Sequence, residues 1–229
     1  FSDPGDHILI QPPVYMEFAE VTVFQERTVL NNPLIETAPG HWEIDWADFE
    51  AKASQAKLFL LCSPHNPLGK VWTREELERM MALCLKHHVL VVSDEIHADL
   101  ILHGTHIPTA SLSPEIAANV ITCVSATKTF NLAGLHASVT IFPDREKKER
   151  YDRFWMSFDV HRNNVFSLAA MEAAWREGDE WLDQLLPYLE ANMRYVKAYL
   201  DENLPEIKTF VPDATYLMWL DCRGLGLDQ

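Results

Sequence analysis

Val120-Ile121-Thr122-Cys123-Val124-Ser125-Ala126-Thr127-Lys128-Thr129-Phe130-Asn131-Leu132-Ala133-Gly134-Leu135 is the stretch whose reading decides the fold. Val120 to Val124 reads as a buried strand. Lys128 stands just beyond its end, flanked by hydroxyls. Lysine is almost never fully buried unless paired, so packing explains this position poorly. Chemistry explains it better, because a desolvated amine is a Schiff-base nucleophile.

Similar short apolar runs lie to either side. Lys57 to Cys62, Val89 to Ser93, Asn119 to Val124 and Ala137 to Phe142 are predicted strands, and most are apolar nearly throughout, as strands covered on both faces are. Between the first two, Thr73-Arg74-Glu75-Glu76 forms a capping box. Leu77, Met80, Met81, Cys84 and Leu85 then recur at helical spacing and put one apolar stripe on the sheet. His87-His88 suits the negative end of that helix. Further on, Trp181, Leu185, Leu189, Met193, Val196 and Leu200 predict a long helix over Asp179 to Asn203, ended by Leu204-Pro205. Thr215 to Asp221 predicts another strand. There is no internal repeat and no low-complexity segment. Strand–helix–strand order with right-handed crossovers gives an α/β fold with a mostly parallel central sheet and helices on both faces.

In such open sheets, ligands bind beyond the carboxyl ends of the strands. Ser63-Pro64-His65-Asn66-Pro67-Leu68-Gly69 follows one strand, Asp94-Glu95-Ile96-His97 the next, and Ser125 to Lys128 the third. Three strands therefore deliver Asn66, Asp94, His97, Ser125 and Lys128 to one edge. Taken singly, Asn66-Pro67 also reads as a turn, Asp94 as a helix cap, His97 as a structural histidine and Lys128 as a solvated lysine. Their convergence points to one site.

The composition excludes several classes. The 229 residues suffice for one large domain and part of a second, and 48% apolar with 23% charged residues marks a globular chain. A net charge of −15 argues against nucleic-acid binding, which needs clustered Lys and Arg. No apolar run is long enough to span a bilayer, and no leader pattern opens the chain. Cys62, Cys84, Cys123 and Cys222 form no CxxC pair and read as buried free thiols of a reducing compartment. A metal site built from Asp94, Glu95, His97, Asp99, His103 and His106 is the weaker alternative. Strand neighbours face opposite sides, and no HExxH spacing occurs.

The Ser63–Gly69 segment, Ser93-Asp94-Glu95-Ile96-His97 and the Lys128 run, in that order, resemble the motifs of fold-type I pyridoxal-phosphate enzymes of the class I/II aminotransferase superfamily. Pro12-Pro13-Val14-Tyr15 resembles the family's strand-end segment. Trp181-Leu182-Asp183, Tyr188-Leu189, Asn192 and Thr215-Tyr216-Leu217-Met218-Trp219-Leu220-Asp221 resemble the cystathionine β-lyase (carbon–sulfur lyase) branch. The resemblance implies pyridoxal 5′-phosphate as cofactor, bound covalently by the catalytic Lys128. Asp94 is expected at the pyridine nitrogen, Asn66 and His97 at the ring O3′, Ser125 at the phosphate, and Tyr15 stacked on the ring.

Two departures separate the chain from the aminotransferases. His97 stands where they carry Tyr, and His136 where they carry a phosphate-binding Arg. Both suit a lyase, and the expected reaction is β-elimination of an L-cysteine S-conjugate such as cystathionine, with amino transfer as the alternative. The resemblance further implies a cytoplasmic homodimer acting on a small amino acid, with no nucleic-acid or membrane partner. It divides the chain into a large domain, 1–185, and the start of a small α+β domain, 186–229. It also implies a piece of a longer enzyme, without the upstream phosphate loop and the downstream carboxylate-binding arginine; such a piece is expected to turn over weakly or not at all.

Overall fold

The computed structural model describes residues 1–160 and 162–226. In chain order the first elements are β1 (His7–Ile10), α1 (Glu17–Phe24), β2 (Thr28–Asn31), β3 (Leu34–Ala38), β4 (His41–Ile44), α2 (Trp46–Ala53) and β5 (Leu58–Cys62). Next come α3 (Arg74–Lys86), β6 (Leu90–Asp94), α4 (Pro114–Ala117), β7 (Val120–Val124) and β8 (Val139–Ile141). The chain continues through α5 (Arg145–Ser157), α6 (Val165–Glu177), α7 (Asp179–Asn203), β9 (Lys208–Thr209) and β10 (Leu220–Asp221).

The central sheet has six strands in the order β2-β1-β5-β6-β7-β8. Every neighbouring pair is parallel except β7–β8, an antiparallel edge. Strand side chains alternate between faces, so each strand serves two layers. Leu9, Phe59, Leu61 and Val91 face the main core, with Phe49 from α2 and Leu77, Met80, Met81 and Cys84 from α3. Phe49 meets Phe59 edge-to-face at 5.3 Å, an arrangement worth about 1 kcal/mol beyond area burial. Ile8, Leu58 and Leu60 face the other way, toward Val21 and Thr22 of α1 and Tyr151, Phe154 and Trp155 of α5. Helices therefore lie on both faces, as expected.

Local chemistry explains the best-read helix. The Thr73 hydroxyl accepts from Glu76 N–H at 3.2 Å, and the Glu76 carboxylate accepts from Thr73 N–H at 2.9 Å. Two orphan donors of the first turn of α3 are thereby satisfied. His87 caps its far end, and His88 turns the chain with φ 57°.

Two expectations need correction. The strand expected over Thr215 to Asp221 is paired only at Leu220 and Asp221. Thr215 takes φ 72°, which breaks the extended run, and bonds to Leu100 instead of a strand partner. The cysteines are free, but only Cys62 and Cys84 are buried; Cys123 is half-buried and Cys222 exposed. α7 spans Asp179–Asn203, as expected; along its stripe Met193 and Leu200 are buried, Leu185 and Leu189 half-buried, and Trp181 and Val196 exposed. α7 runs unbroken past the expected 185/186 boundary, with Pro187 inside it. No helix among the described residues is long and apolar enough to cross a membrane.

Candidate active site

The sheet changes direction at β1. Its crossover through α1 leads to β2 on one side, while β5, β6 and β7 follow on the other. The crevice beyond the carboxyl ends of β1 and β5 is where such sheets bind ligands. His65, 1% exposed, closes its floor by pairing Nε2 with the Gln11 carbonyl at 3.1 Å. Gln11 in turn donates to Asn32 at 3.2 Å.

Asp94 lies at the centre of the edge. Strand register aligns it with Cys62 on β5 and Cys123 on β7. Among the described residues, its carboxylate accepts a single hydrogen bond, from Ile96 N–H at 3.3 Å. Burial pushes its pKa up to about 6, against the opposing pull of the Ile96 N–H and of Lys128. The same carboxylate adds to burial in raising the thiols of Cys62 and Cys123 and the phenol of Tyr15. Tyr15, on the segment after β1, therefore stands within its field. The Tyr15 ring packs edge-to-face on Phe18 at 5.9 Å and remains 37% exposed.

His97 is 3% exposed, and among the described residues its Nδ1 has no hydrogen-bond partner. Burial, then the positive charge of Lys128, lowers its pKa to about 4, so the imidazole is neutral. Lys128 acts on both Asp94 and His97 and is itself half-buried. Its loop is built by Ser125, whose hydroxyl accepts from Thr127 N–H at 3.0 Å and donates to the Ala137 carbonyl at 2.7 Å. Thr129, on the other side of Lys128, donates to Asp99 at 3.0 Å.

The structure thus brings Asp94, His97, Lys128 and Tyr15 together. Ser125 is in place, but its proton is directed to Ala137. Asn66 is half-buried in the neighbouring loop, held by its backbone N–H to Cys62 Sγ at 3.3 Å. His136 is exposed at φ 49°, closing a short 3-10 turn. Two features escaped the sequence reading. Tyr216 packs edge-to-face on His97 at 5.5 Å. Glu95, set aside as a metal ligand, is instead buried against Ser93, Thr109 and His106. Among the described residues no group of three or more His, Cys, Asp or Glu gathers to hold a metal ion.

A half-buried amine, a half-buried carboxylate with one hydrogen bond and a neutral imidazole whose Nδ1 is unpartnered among the described residues together match the needs of pyridoxal phosphate. The carboxylate suits a cationic ring nitrogen, and the imidazole suits a ring hydroxyl.

Comparison with known proteins agrees. The family model described as aminotransferase class I and II matches residues 1–228. The chain belongs to this family. Cystathionine beta-lyase PatB of Bacillus subtilis is 46% identical over 232 residues, covering 100% of this chain and 60% of its own length. A pyridoxal-phosphate-bound putative aminotransferase from Clostridium difficile superposes with a TM-score of 0.95 at 44% identity, over 99% of this chain and 59% of that one. Cystalysin from Treponema denticola, whose structure contains pyridoxal 5′-phosphate, gives a TM-score of 0.95 at 35% identity, over 100% of this chain and 58% of that one. The chain spans about 60% of the length of the curated relatives it matches. The α/β fold with its mostly parallel sheet is the one these structures share.

Proposed function

We propose that this protein binds pyridoxal 5′-phosphate through Lys128 and takes part in β-elimination from L-cysteine S-conjugates such as cystathionine, releasing a thiol, pyruvate and ammonia. The observation that carries the proposal is the meeting of Lys128, Asp94 and His97 at the ends of adjacent strands, with Lys128 in the field of both partners. The similarity to a cystathionine beta-lyase along the whole chain supports the reaction type.

When bound, pyridoxal phosphate supplies an electron sink for charge developing at the substrate Cα. The chain's own residues do the rest. Asp94, ionised by its cationic neighbour, keeps a proton on the ring nitrogen. Lys128, as a free amine, would take the Cα proton as general base. The electron pair released at Cα expels the thiolate from Cβ, and water completes the breakdown to pyruvate and ammonia. Neutral His97 and Asn66 are assigned to the ring O3′, Tyr15 to the ring face, and Ser125 to the phosphate, which requires its hydroxyl to turn from the Ala137 carbonyl.

The same reading makes residues 1–185 the cofactor-binding domain and 186–229 the start of a smaller one. It makes the working protein a cytoplasmic homodimer. Phe158, 63% exposed at the end of α5, is a candidate for the subunit contact, whereas Trp155 packs inward on Tyr151 and Phe154.

Borohydride reduction after adding pyridoxal phosphate, followed by peptide mapping, tests the cofactor assignment; a label away from Lys128 overturns it. Pyruvate and thiol release from cystathionine by the full-length protein tests the reaction. A stoichiometric keto acid instead would identify an aminotransferase.

A further inference from the structure

Residues 212–217 form a strap across the site edge, and its anchors all lie on the two segments that carry Asn66 and His97. Ala214 N–H donates to the Gly69 carbonyl at 2.9 Å, and Gly69 N–H donates to the His65 carbonyl at 2.7 Å. Thr215 N–H donates to the Leu100 carbonyl at 2.7 Å, while Leu100 N–H donates to the His97 carbonyl at 3.0 Å. Leu102 and His103 N–H both donate to the Asp213 carbonyl, at 2.8 and 2.9 Å.

The strap is tightly determined. Thr215 is fully buried at φ 72°, an outlier for a β-branched residue, and its hydroxyl accepts from Leu217 N–H at 3.1 Å. Such conformations persist only where the surroundings enforce them, and they cluster at functional sites. The strap also passes so close to Gly69 that a Cβ there would lie 2.3 Å from the Pro212 side chain and 2.5 Å from the Ala214 carbonyl. The outcome of this geometry is the placement of Tyr216. Its ring meets the His97 imidazole edge-to-face, with centroids 5.5 Å apart and planes at 68°.

We propose that Tyr216 is a positioning residue: held by the strap, its ring fixes and shields the His97 imidazole so that one ring nitrogen is presented toward Lys128. The inference deepens the cofactor-binding reading, on which it rests for the purpose His97 serves. Lys128 faces His97 from the loop after β7, Asp94 lies three residues before it, and the ring of Tyr216, itself 39% exposed, meets it from the strap.

The test is an NMR titration of the His97 imidazole in the cofactor-free protein, assigned by its loss in His97→Asn. The wild-type ring should stay neutral to near pH 4. Tyr216→Ala should raise the midpoint toward the ordinary value of about 6.5, and Tyr216→Phe, which keeps the ring, should leave it in place. Tyr216→Thr, a smaller truncation, should move it in the same direction as Ala if the Ala variant does not fold. An unmoved midpoint in the truncations, or an equal rise in Tyr216→Phe, overturns the proposal. The titration needs no cofactor, so failure of the Lys128 label would count against the cofactor reading and leave the positioning result standing.

Discussion

His106 Nε2 stands 3.0 Å from Glu95 Oε2, with the two side chains 10% and 2% exposed. The other carboxylate oxygen accepts from the Ser93 hydroxyl at 2.8 Å and from Thr109 N–H at 3.0 Å. Asp94 and Glu95 are thus adjacent carboxylates with opposite roles, one saturated below the sheet edge and one nearly bare in the site. Alternation of strand side chains separates them.

Glu95→Ala would remove the acceptor of the buried Thr109 N–H and the partner of the half-buried His106, while the Ser93 hydroxyl keeps Thr109 Oγ1 at 3.0 Å. Each unsatisfied group costs about 1–3 kcal/mol, so a loss of roughly 2 kcal/mol or more is expected from urea unfolding. Glu95→Gln, which retains an acceptor, should cost less than half of that. A Glu95→Ala loss below about 1 kcal/mol would mean the network re-pairs.

Asp94 and His97 predict opposing pH effects in the cofactor-free protein. Burial raises Asp94 from 3.8 to about 6, so the folded state binds its proton more tightly and stability from this group falls as pH rises through that window. Burial lowers His97 from 6.5 to about 4, so the unfolded state binds its proton more tightly and stability rises with pH over that range. The two nearly cancel. Asp94→Asn should expose the histidine slope, losing on the order of 3 kcal/mol between pH 6.5 and 4 relative to wild type. His97→Asn should expose the opposite slope. Urea midpoints across this range decide it, and an Asp94→Asn curve parallel to wild type would refute the assignment.

Gly69→Ala meets both a positive φ of 63° and the contacts with Pro212 and Ala214. The sum of left-handed strain and overpacking is roughly 3 kcal/mol. A fall in unfolding temperature, with protease cleavage between residues 212 and 217, is the expected outcome. Unchanged cleavage would show that the strap tolerates displacement.

The sheet core and the candidate site edge were legible because they rest on local signals. Leu58–Cys62, Leu90–Asp94 and Val120–Val124 are apolar runs, each followed by a chemistry-bearing loop, and α3 announces itself by its capping box. β1 to β4 were not legible. They span four or five residues each, and β2 is half-exposed, so neither length nor alternation stands out. Tyr216 lay in a stretch that alternates like a strand. Only tertiary hydrogen bonds to Gly69 and Leu100 reveal that the chain turns there to meet His97. Likewise, nothing in the spacing of Ser93, Glu95, His106 and Thr109 distinguishes a buried network from scattered metal-type residues.

Tyr15 offers the sharpest separation of ring from hydroxyl at the proposed cofactor face. Its phenol is raised by burial, then by the nearby charge and hydrogen bond of Glu17 and by Asp94, so it remains protonated at neutral pH. A protonated phenol contributes to cofactor binding chiefly as a flat surface. Stacked aromatic contacts contribute about 1–1.5 kcal/mol, so Tyr15→Ala should weaken pyridoxal phosphate binding roughly tenfold. Tyr15→Phe should bind within about twofold of wild type, a difference of only a few tenths of a kcal/mol. Absorbance titration with the cofactor measures both. If Phe weakens binding as much as Ala, the hydroxyl, not the ring, makes the contact, and Tyr15 belongs with the hydrogen-bonding residues rather than the stacking face.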